Sequence, residues 1–165
     1  MPNWDEDSPE LRRNLGKVLN EIVRSAQRRE FPTLASAKHW QSLLMKDLTV
    51  PDGRFVGAFR CELGLEKIQV RVGVHYGVDA AEVAEELAGF DAMLPIGQEP
   101  DADQLAAFVD LCAWVHAEWA PIHPFTNGNG RAARLWVNFI AMCYDCRRSS
   151  GFALIRSQTR VLNSF

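Results

Sequence analysis

The sequence lacks any run of about 18 apolar residues, the length that marks a membrane-spanning helix, so no membrane association is expected. It also lacks an excess of one charge, because 18 basic and 21 acidic residues give a formal net charge of −3. That balance argues against nucleic-acid binding over the whole surface, although a local basic site stays open. Residues 1–14 are polar and acidic, unlike a signal or transit peptide. Cytoplasmic residence is the simplest interpretation, with export by a secretion system as the alternative.

Cysteine is scarce, and its spacing predicts no metal site. The four cysteines include one CxxC pair, Cys143 and Cys146, but no second pair and no spaced histidine pair accompanies it. A structural zinc site needs four such ligands. The surrounding residues indicate a helix and not the turn of a redox motif. We therefore interpret the cysteines as small core residues in a reducing compartment.

Internal repeats, linkers and low-complexity tracts are absent as well. A chain of 165 residues has no room for a second full core, so we predict one domain over residues 1–165. The sequence Ser8-Pro9-Glu10 is typical of a helix start, and we expect the first helix over about 9–29. Its inward face should carry Leu11, Leu15, Val18, Leu19, Ile22, Val23 and Ala26.

Four further helices are predicted, and only one β-like stretch. The second helix should span about Leu34 to Lys46, and capping-box patterns at residues 79–82 and 101–104 should open the third and fourth. The third should end near Gly89, and Pro121 should end the fourth. The fourth and fifth helices should bury Leu105, Phe108, Val109, Cys112, Val115 and Trp119, then Leu135, Trp136, Phe139, Ile140 and Cys143. Residues 68–76 alternate apolar and polar, which fits a short hairpin. The expected architecture is an all-α bundle with one small β element.

The segment HPFTNGNGRAAR, residues 123–134, joins the two central helices and is too rich for a plain connector. Asn-Gly is a hairpin signal, but the flanking segments have helical and not strand periodicity. A tight connection between helices needs one glycine at a helix end. Two glycines that alternate with two asparagines at a helix start therefore call for another explanation.

An anion-binding site explains the segment better. Gly128 and Gly130 let the backbone approach a ligand closely, and their amides could form a concave nest at the positive end of the next helix. Arg131 and Arg134 lie three residues apart, on one helical face, and suit a di- or triphosphate. His123 precedes the nest at loop distance and could accept a proton from a hydroxyl.

The same residues resemble a known family signature. Residues 123–134 are similar to the Fic motif HPFx(D/E)GNGRxxR and match every defined position but one. Residues 57–60, GAFR, are similar to the family's G-x-[YF]-R segment, and residues 68–76 stand where the family has its β-hairpin flap. The resemblance covers about residues 35–160, which it identifies as the core of a Fic-like helical fold.

The resemblance implies transfer of AMP from ATP, with Mg²⁺, to a Ser, Thr or Tyr hydroxyl of a target protein. It implies that His123 is the general base and that Arg131 binds phosphate and stabilises the transition state. It implies further that Phe125 anchors the loop, and that an edge of the flap pairs with the target segment. The phosphate-binding residues would be Asn127, Gly128, Asn129, Gly130, Arg131 and Arg134, with the Asn129 side chain on the α- and β-phosphates, and the flap residues would be Val70, Arg71, Val72, Gly73 and Val74.

Asn127 departs from the family pattern. The family has Asp or Glu at this position, where the carboxylate holds Mg²⁺, whereas an asparagine oxygen is a neutral ligand. Three interpretations follow: a transferase with a weaker metal site at Asn127, a phosphotransferase or a transferase of another nucleotide, or a catalytically weak nucleotide-binding module of a toxin–antitoxin type pair.

The sequence also lacks the pattern [ST]xxxE[GN], which marks the inhibitory helix of many Fic proteins. Self-inhibition by that route is therefore not expected. Either a small antitoxin-like partner supplies the helix, or the chain is trimmed, or regulation differs.

Overall fold

A computed structural model describes residues 3–4, 6–28, 30–94 and 105–143. Within these ranges it contains five α-helices: α1 (Pro9–Gln27), α2 (Leu34–Met45), α3 (Val83–Met93), α4 (Leu105–Ile122) and α5 (Asn129–Cys143). A short 3-10 helix spans Gly53–Phe55, and strands β1 (Arg71–Val72) and β2 (His75–Tyr76) form an antiparallel pair. The prediction of an all-α fold with a small hairpin is confirmed. The predicted helix start at residues 101–104, the tail from 151 and Cys146 lie outside the described residues.

Helix α5 lies at the centre of the fold, where it packs against α4, α1 and α2, while α3 packs on α4. Trp136 of α5 is fully buried at the meeting point. Its ring centroid lies 5.5 Å from that of Trp40 on α2, 5.4 Å from Phe90 on α3 and 5.5 Å from Trp119 on α4. One aromatic cluster therefore joins four helices, and the start of α5 is positioned by it.

The starts of the first two helices follow from their capping residues. Ser8 Oγ accepts a hydrogen bond from the amide of Leu11 at 3.1 Å, and Pro9 occupies the first turn, as the sequence predicts. Thr33 and Ser36 form a reciprocal capping box at the start of α2, with both side chain–backbone contacts at 3.2 Å. The predicted inward residues of α1 are largely buried or half-buried, but Val23 is exposed.

Three predictions about the later helices were wrong. Asp79 does not cap α3: its Oδ1 accepts from Gln69 Nε2 at 2.5 Å, and the helix begins only at Val83 and continues to Met93. Pro121 does not end α4, because it lies inside the last turn and Ile122 is still helical. Leu105 and Val109, which were expected in the core, are exposed. Phe108 and Cys112 are half-buried against the core, and Val115 and Trp119 are fully buried, so burial increases along α4.

The hairpin is short and exposed. Arg71 pairs with Tyr76 and Val72 with His75, and Gly73 takes a φ of 61° in the two-residue turn, a left-handed value that favours glycine. The side chains of β1 and β2 are solvent-exposed. Helices long and apolar enough to cross a membrane are absent from the described part of the chain.

We expect Trp136→Ala to reduce the free energy of unfolding by about 3–5 kcal/mol, because it empties the centre of the aromatic cluster. The control is Leu63→Ala, whose side chain is 93% exposed and whose loss should cost less than about 0.5 kcal/mol. Urea denaturation followed by circular dichroism measures both. Equal costs for the two substitutions would show that the cluster does not hold the helices together.

Candidate active site

The loop between α4 and α5 is fastened to the core by one side chain. Phe125 is fully buried, with ring centroids 4.9 Å from Phe59 and 6.0 Å from Trp119. Asn129, the first residue of α5, closes the loop: its Oδ1 accepts from the amide of Phe125 at 2.9 Å, and its Nδ2 donates to the carbonyl of Phe125 at 2.8 Å. The backbone of the loop is therefore held at both ends.

The Asn129 side chain thus makes contacts that the resemblance did not imply. This buried side chain places both polar ends on Phe125, whereas the expectation placed the side chain on the phosphates. In this structure the side chain organises the loop, and the Asn129 backbone amide begins the helix. Sequence reasoning missed this role because the same asparagine can serve a ligand or its own chain.

Gly128 precedes α5 in a conformation that favours glycine. Its φ is +87°, and a Cβ there would lie 3.1 Å from Met45 Cε. The carbonyl of Gly128 accepts the first helical hydrogen bond from Ala132 at 2.8 Å. The amides of Asn129 and Gly130 consequently precede the helical hydrogen-bond pattern, and they lie at the positive end of α5. This is the backbone arrangement that binds anions at helix starts.

Both arginines of the motif lie over this first turn. The Arg131 guanidinium nitrogens Nε and Nη2 are 3.9 Å from the position that a Cβ on Gly128 would occupy, and Arg134 Nη1 is 4.0 Å from the corresponding position at Gly130. The structure therefore brings Gly128, Gly130, Arg131 and Arg134 together, as the sequence predicts. We call residues 127–134 the cradle.

Arg131 has partners that the sequence did not indicate. Its Nη2 donates to Asn127 Oδ1 at 2.8 Å and to the carbonyl of Trp4 at 3.3 Å. The Trp4 ring stacks on Phe55 with centroids 5.8 Å apart, and the Trp4 amide donates to Thr49 at 3.2 Å. A phosphate that reaches Arg131 would compete with this N-terminal carbonyl.

The donor set at Asn127 does not fit a resident magnesium ion. Asn127 offers one neutral side-chain oxygen, and that oxygen already accepts from the cation Arg131. Groups of three or more His, Cys, Asp or Glu side chains that could hold a metal are absent from the described residues. A magnesium ion at this place would have to take most of its oxygen ligands from a nucleotide or from water.

His123 stands at the end of α4 in a constrained backbone conformation. Its φ is 45°, which is unfavourable for a residue with a Cβ. Its amide donates to Trp119 at 3.3 Å, and its carbonyl accepts from Arg60 Nε at 2.7 Å. The Nδ1 atom is buried and makes no hydrogen bond of good geometry to the described residues, which leaves Nε2 as the nitrogen that can meet a substrate.

The electrostatics around His123 favour the neutral imidazole. Burial lowers the pKa of His123 below its ordinary value of 6.5, the carbonyl of Ala120 acts in the opposite direction, and the positive charge of Arg60 lowers it further. The ring is therefore unprotonated at neutral pH. A neutral imidazole with one nitrogen accessible can accept a proton, which is what a general base must do.

Two buried polar residues support the site: Gln41, which the sequence analysis did not single out, and Arg60, which belongs to the GAFR segment but had no predicted role. Gln41 on α2 is fully buried: its Nε2 donates to the carbonyls of Phe55 at 3.2 Å and Asn127 at 3.4 Å, and its Oε1 accepts from Gly57 at 2.5 Å. A signal for Gln41 was present, because it lies between Ala37 and Leu44 on the apolar face of α2.

The hairpin lies next to the candidate base. The predicted flap residues 70–74 run from just before β1 into the turn, and Val72 and Val74 are exposed. At its other end, a Cβ on Gly77 would lie only 2.6 Å from His123 Cβ, so the chain leaving β2 passes directly against the histidine. The structure thus brings the flap and His123 into one region.

A model of the Fic/DOC family matches residues 31–141, which include the cradle, His123, the hairpin and Arg60. No curated protein matches the chain.

We expect Gly128→Ala to reduce the free energy of unfolding by about 1–2 kcal/mol, because a Cβ disfavours the left-handed conformation at this residue. The control is Gly16→Ala in α1, where a Cβ meets nothing within 4 Å and should stabilise the helix by about 0.5–1 kcal/mol. Urea denaturation of the two variants gives the sign of each change in the free energy of unfolding. A neutral Gly128→Ala would mean that the loop adopts another conformation in solution.

Proposed function

The chain belongs to the Fic/DOC family, whose model covers residues 31–141, and on that premise we propose that it transfers AMP from ATP to a hydroxyl group of a target protein. The observation that carries the proposal is a histidine with a lowered pKa in the loop that leads to a helix start covered by two arginines. These groups supply a proton acceptor and an anion cradle in one loop.

The chemistry assigned to this loop is a displacement at phosphorus. The target hydroxyl oxygen forms a bond to the α-phosphorus of ATP, the bond from that phosphorus to the β-bridging oxygen breaks, and pyrophosphate leaves. The hydroxyl proton moves to Nε2 of His123, because Nδ1 is buried. The lowered pKa supports this step, since the base must be neutral when the hydroxyl arrives.

The cradle would bind the triphosphate through fixed dipoles and two guanidinium groups. First-turn amides and Arg131 would hold the inner phosphates, and Arg134 would reach the terminal one. Arg134 is exposed, and its guanidinium makes no hydrogen bond or ion pair with the residues that the structure describes, so it is available to a ligand. ATP would enter as its magnesium complex, in which the phosphates supply most of the oxygen ligands of the ion that the protein does not provide.

The flap would present the target. Val72 and Val74 are exposed apolar side chains beside the hairpin turn, and a two-stranded sheet leaves outer edges with unpaired backbone groups. An extended target segment could add to such an edge as a further strand, which places its hydroxyl near His123. A small antitoxin-like inhibitory partner is proposed as well.

Asn127 supports a second candidate, a nucleotide-binding module with little turnover. Its side chain is neutral and engaged by Arg131, so the chain contributes less to a magnesium ion than an acidic residue would. Transfer of a phosphoryl group or of another nucleotide is a further alternative at the same cradle, and differently labelled donors distinguish it from AMP transfer.

The test of AMP transfer uses ATP labelled at the α- or the γ-phosphate, Mg²⁺ and a cell lysate. Transfer of the α-label alone is expected. His123→Ala should reduce its rate by at least about a hundredfold, because general-base catalysis is lost. The control is His116→Ala, which removes an exposed histidine from α4 and should leave the rate unchanged.

Two results contradict AMP transfer, and a third contradicts the role of His123. Absence of label transfer under every metal, with ATP binding retained in His123→Ala, favours the binding module. Transfer of the γ-label identifies a phosphotransferase. Transfer of the α-label that persists in His123→Ala removes His123 from the mechanism.

Asn127→Asp tests the metal requirement. An added negative charge on this oxygen should lower the Mg²⁺ concentration for half-maximal ATP binding and label transfer by about tenfold, since ligand charge sets the affinity of such sites. Asn20→Asp makes the same change on the exposed surface of α1 and should have no effect. An unchanged Mg²⁺ requirement in Asn127→Asp would show that the neutral oxygen suffices and that the phosphates hold the ion.

A further inference from the structure

Arg60 is a fully buried arginine, and its guanidinium is bound entirely by backbone oxygens. It lies between the 3-10 helix and the hairpin. Its hydrogen bonds run from Nε to the carbonyl of His123 at 2.7 Å, from Nη1 to Ile68 at 2.9 Å, and from Nη2 to Val78 at 2.7 Å and Ile122 at 3.0 Å. The Arg60 amide adds a fifth contact, to the carbonyl of Pro124 at 2.7 Å.

These oxygens belong to only two parts of the molecule. Ile68 and Val78 flank the hairpin on either side, and we call them the feet of the flap. Ile122, His123 and Pro124 form the turn that carries the candidate base. A planar guanidinium presents five donors in a fixed geometry, so one side chain can hold both feet and the turn at a set distance and angle.

Two contacts beside Arg60 also hold the hairpin against the histidine turn. The amide of Val78 donates to the carbonyl of Pro121 at 3.2 Å, which ties one foot to the last turn of α4. Gly77 lies so close to His123 that a Cβ would approach the histidine Cβ to 2.6 Å. The amide of Gly77 also donates to Val70 at 3.0 Å, which extends the pairing of the hairpin toward its feet.

The cradle is held by other residues. Gln41 binds the carbonyl of Asn127, and Asn129 binds both backbone groups of Phe125. Arg60 therefore contacts the histidine turn and the flap, while the phosphate-binding residues depend on different side chains. A change at Arg60 should therefore disturb the histidine turn and the flap and leave the phosphate-binding residues in place.

We propose that Arg60 is a positioning residue that holds His123 and the feet of the flap as one unit, so that a target segment on the flap presents its hydroxyl to His123 in a fixed geometry. The role in catalysis rests on the proposed AMP transfer, but the mechanical coupling does not. Arg60 acts through the backbone of His123, because its guanidinium nitrogens donate to backbone carbonyls and not to the imidazole ring.

Arg60→Lys tests the coupling without removing the charge. An ammonium has three donors and no planar fork, so it cannot reproduce the four side-chain contacts. In the folded variant we expect amide hydrogen exchange at Gly77 and Val78 to accelerate by at least about tenfold. The ring signal of His123 at pH 8, where the imidazole is neutral, should shift; it is assigned by its loss in His123→Gln. Exchange at Ala132 in the cradle should stay within about twofold, because its acceptor Gly128 is held independently.

Arg54→Lys is the matched control: Arg54 is exposed in the 3-10 helix, and its main partner is Asp52. Arg54→Lys should change neither amide exchange at Gly77 and Val78 nor the ring signal of His123. If Arg60→Lys does not fold, Gly77→Ala tests the same contact between the flap and His123, because the added Cβ must push the flap away from His123. A shifted His123 signal and faster exchange at Val78 are again expected.

The proposal fails if a folded Arg60→Lys, or Gly77→Ala in its place, leaves exchange at Val78 and the His123 signal unchanged. It also fails if exchange in Arg60→Lys accelerates equally at Val78, Ala132 and Ala37, because uniform loss of protection is what general destabilisation produces. The label-transfer assay on the wild-type protein distinguishes failure of the proposed AMP transfer from failure of the Arg60 coupling. Absent label transfer with the coupling intact overturns AMP transfer alone, whereas active enzyme should show a lower kcat in Arg60→Lys with the KM for ATP within about twofold.

Discussion

Burial of Phe125 is the interaction on which the candidate site depends. Its ring packs against Phe59 and Trp119, and its two backbone groups are held by the first side chain of α5. The loop thus cannot move without opening the aromatic core that joins α2, α3, α4 and α5. A cradle built from backbone amides needs this rigidity, because its donors must face a ligand before the ligand arrives.

The charge distribution around the loop is suited to a polyanion. Two guanidinium groups and the positive end of α5 converge on the same turn, and the side chain at residue 127 adds no compensating charge. Arg131 Nη2 donates to the neutral amide oxygen of Asn127 and to the main-chain carbonyl of Trp4. His123 lies beside this positive region, and its lowered pKa keeps it from adding a further charge.

Local sequence patterns predicted the helices where strong local signals exist. Ser8-Pro9 starts α1 because the cap and the proline act within one turn. The capping-box prediction at Asp79 failed for the opposite reason: a distant residue, Gln69, binds that carboxylate more closely than any helix amide does. The exposed Leu105 and Val109 show the same limit, since periodicity indicates an apolar face but not how far a neighbouring helix covers it.

The sequence by itself determined the members of the site, because a glycine pair, two arginines three residues apart and a helix start are all local and adjacent in the chain. Tertiary structure alone decided what each one contacts. It turned the Asn129 side chain onto Phe125, placed the Trp4 carbonyl on Arg131, and brought Arg60 to His123 across 63 residues. The physical reason is that such hydrogen bonds depend on which carbonyls the packed core brings within reach, and no local pattern records that.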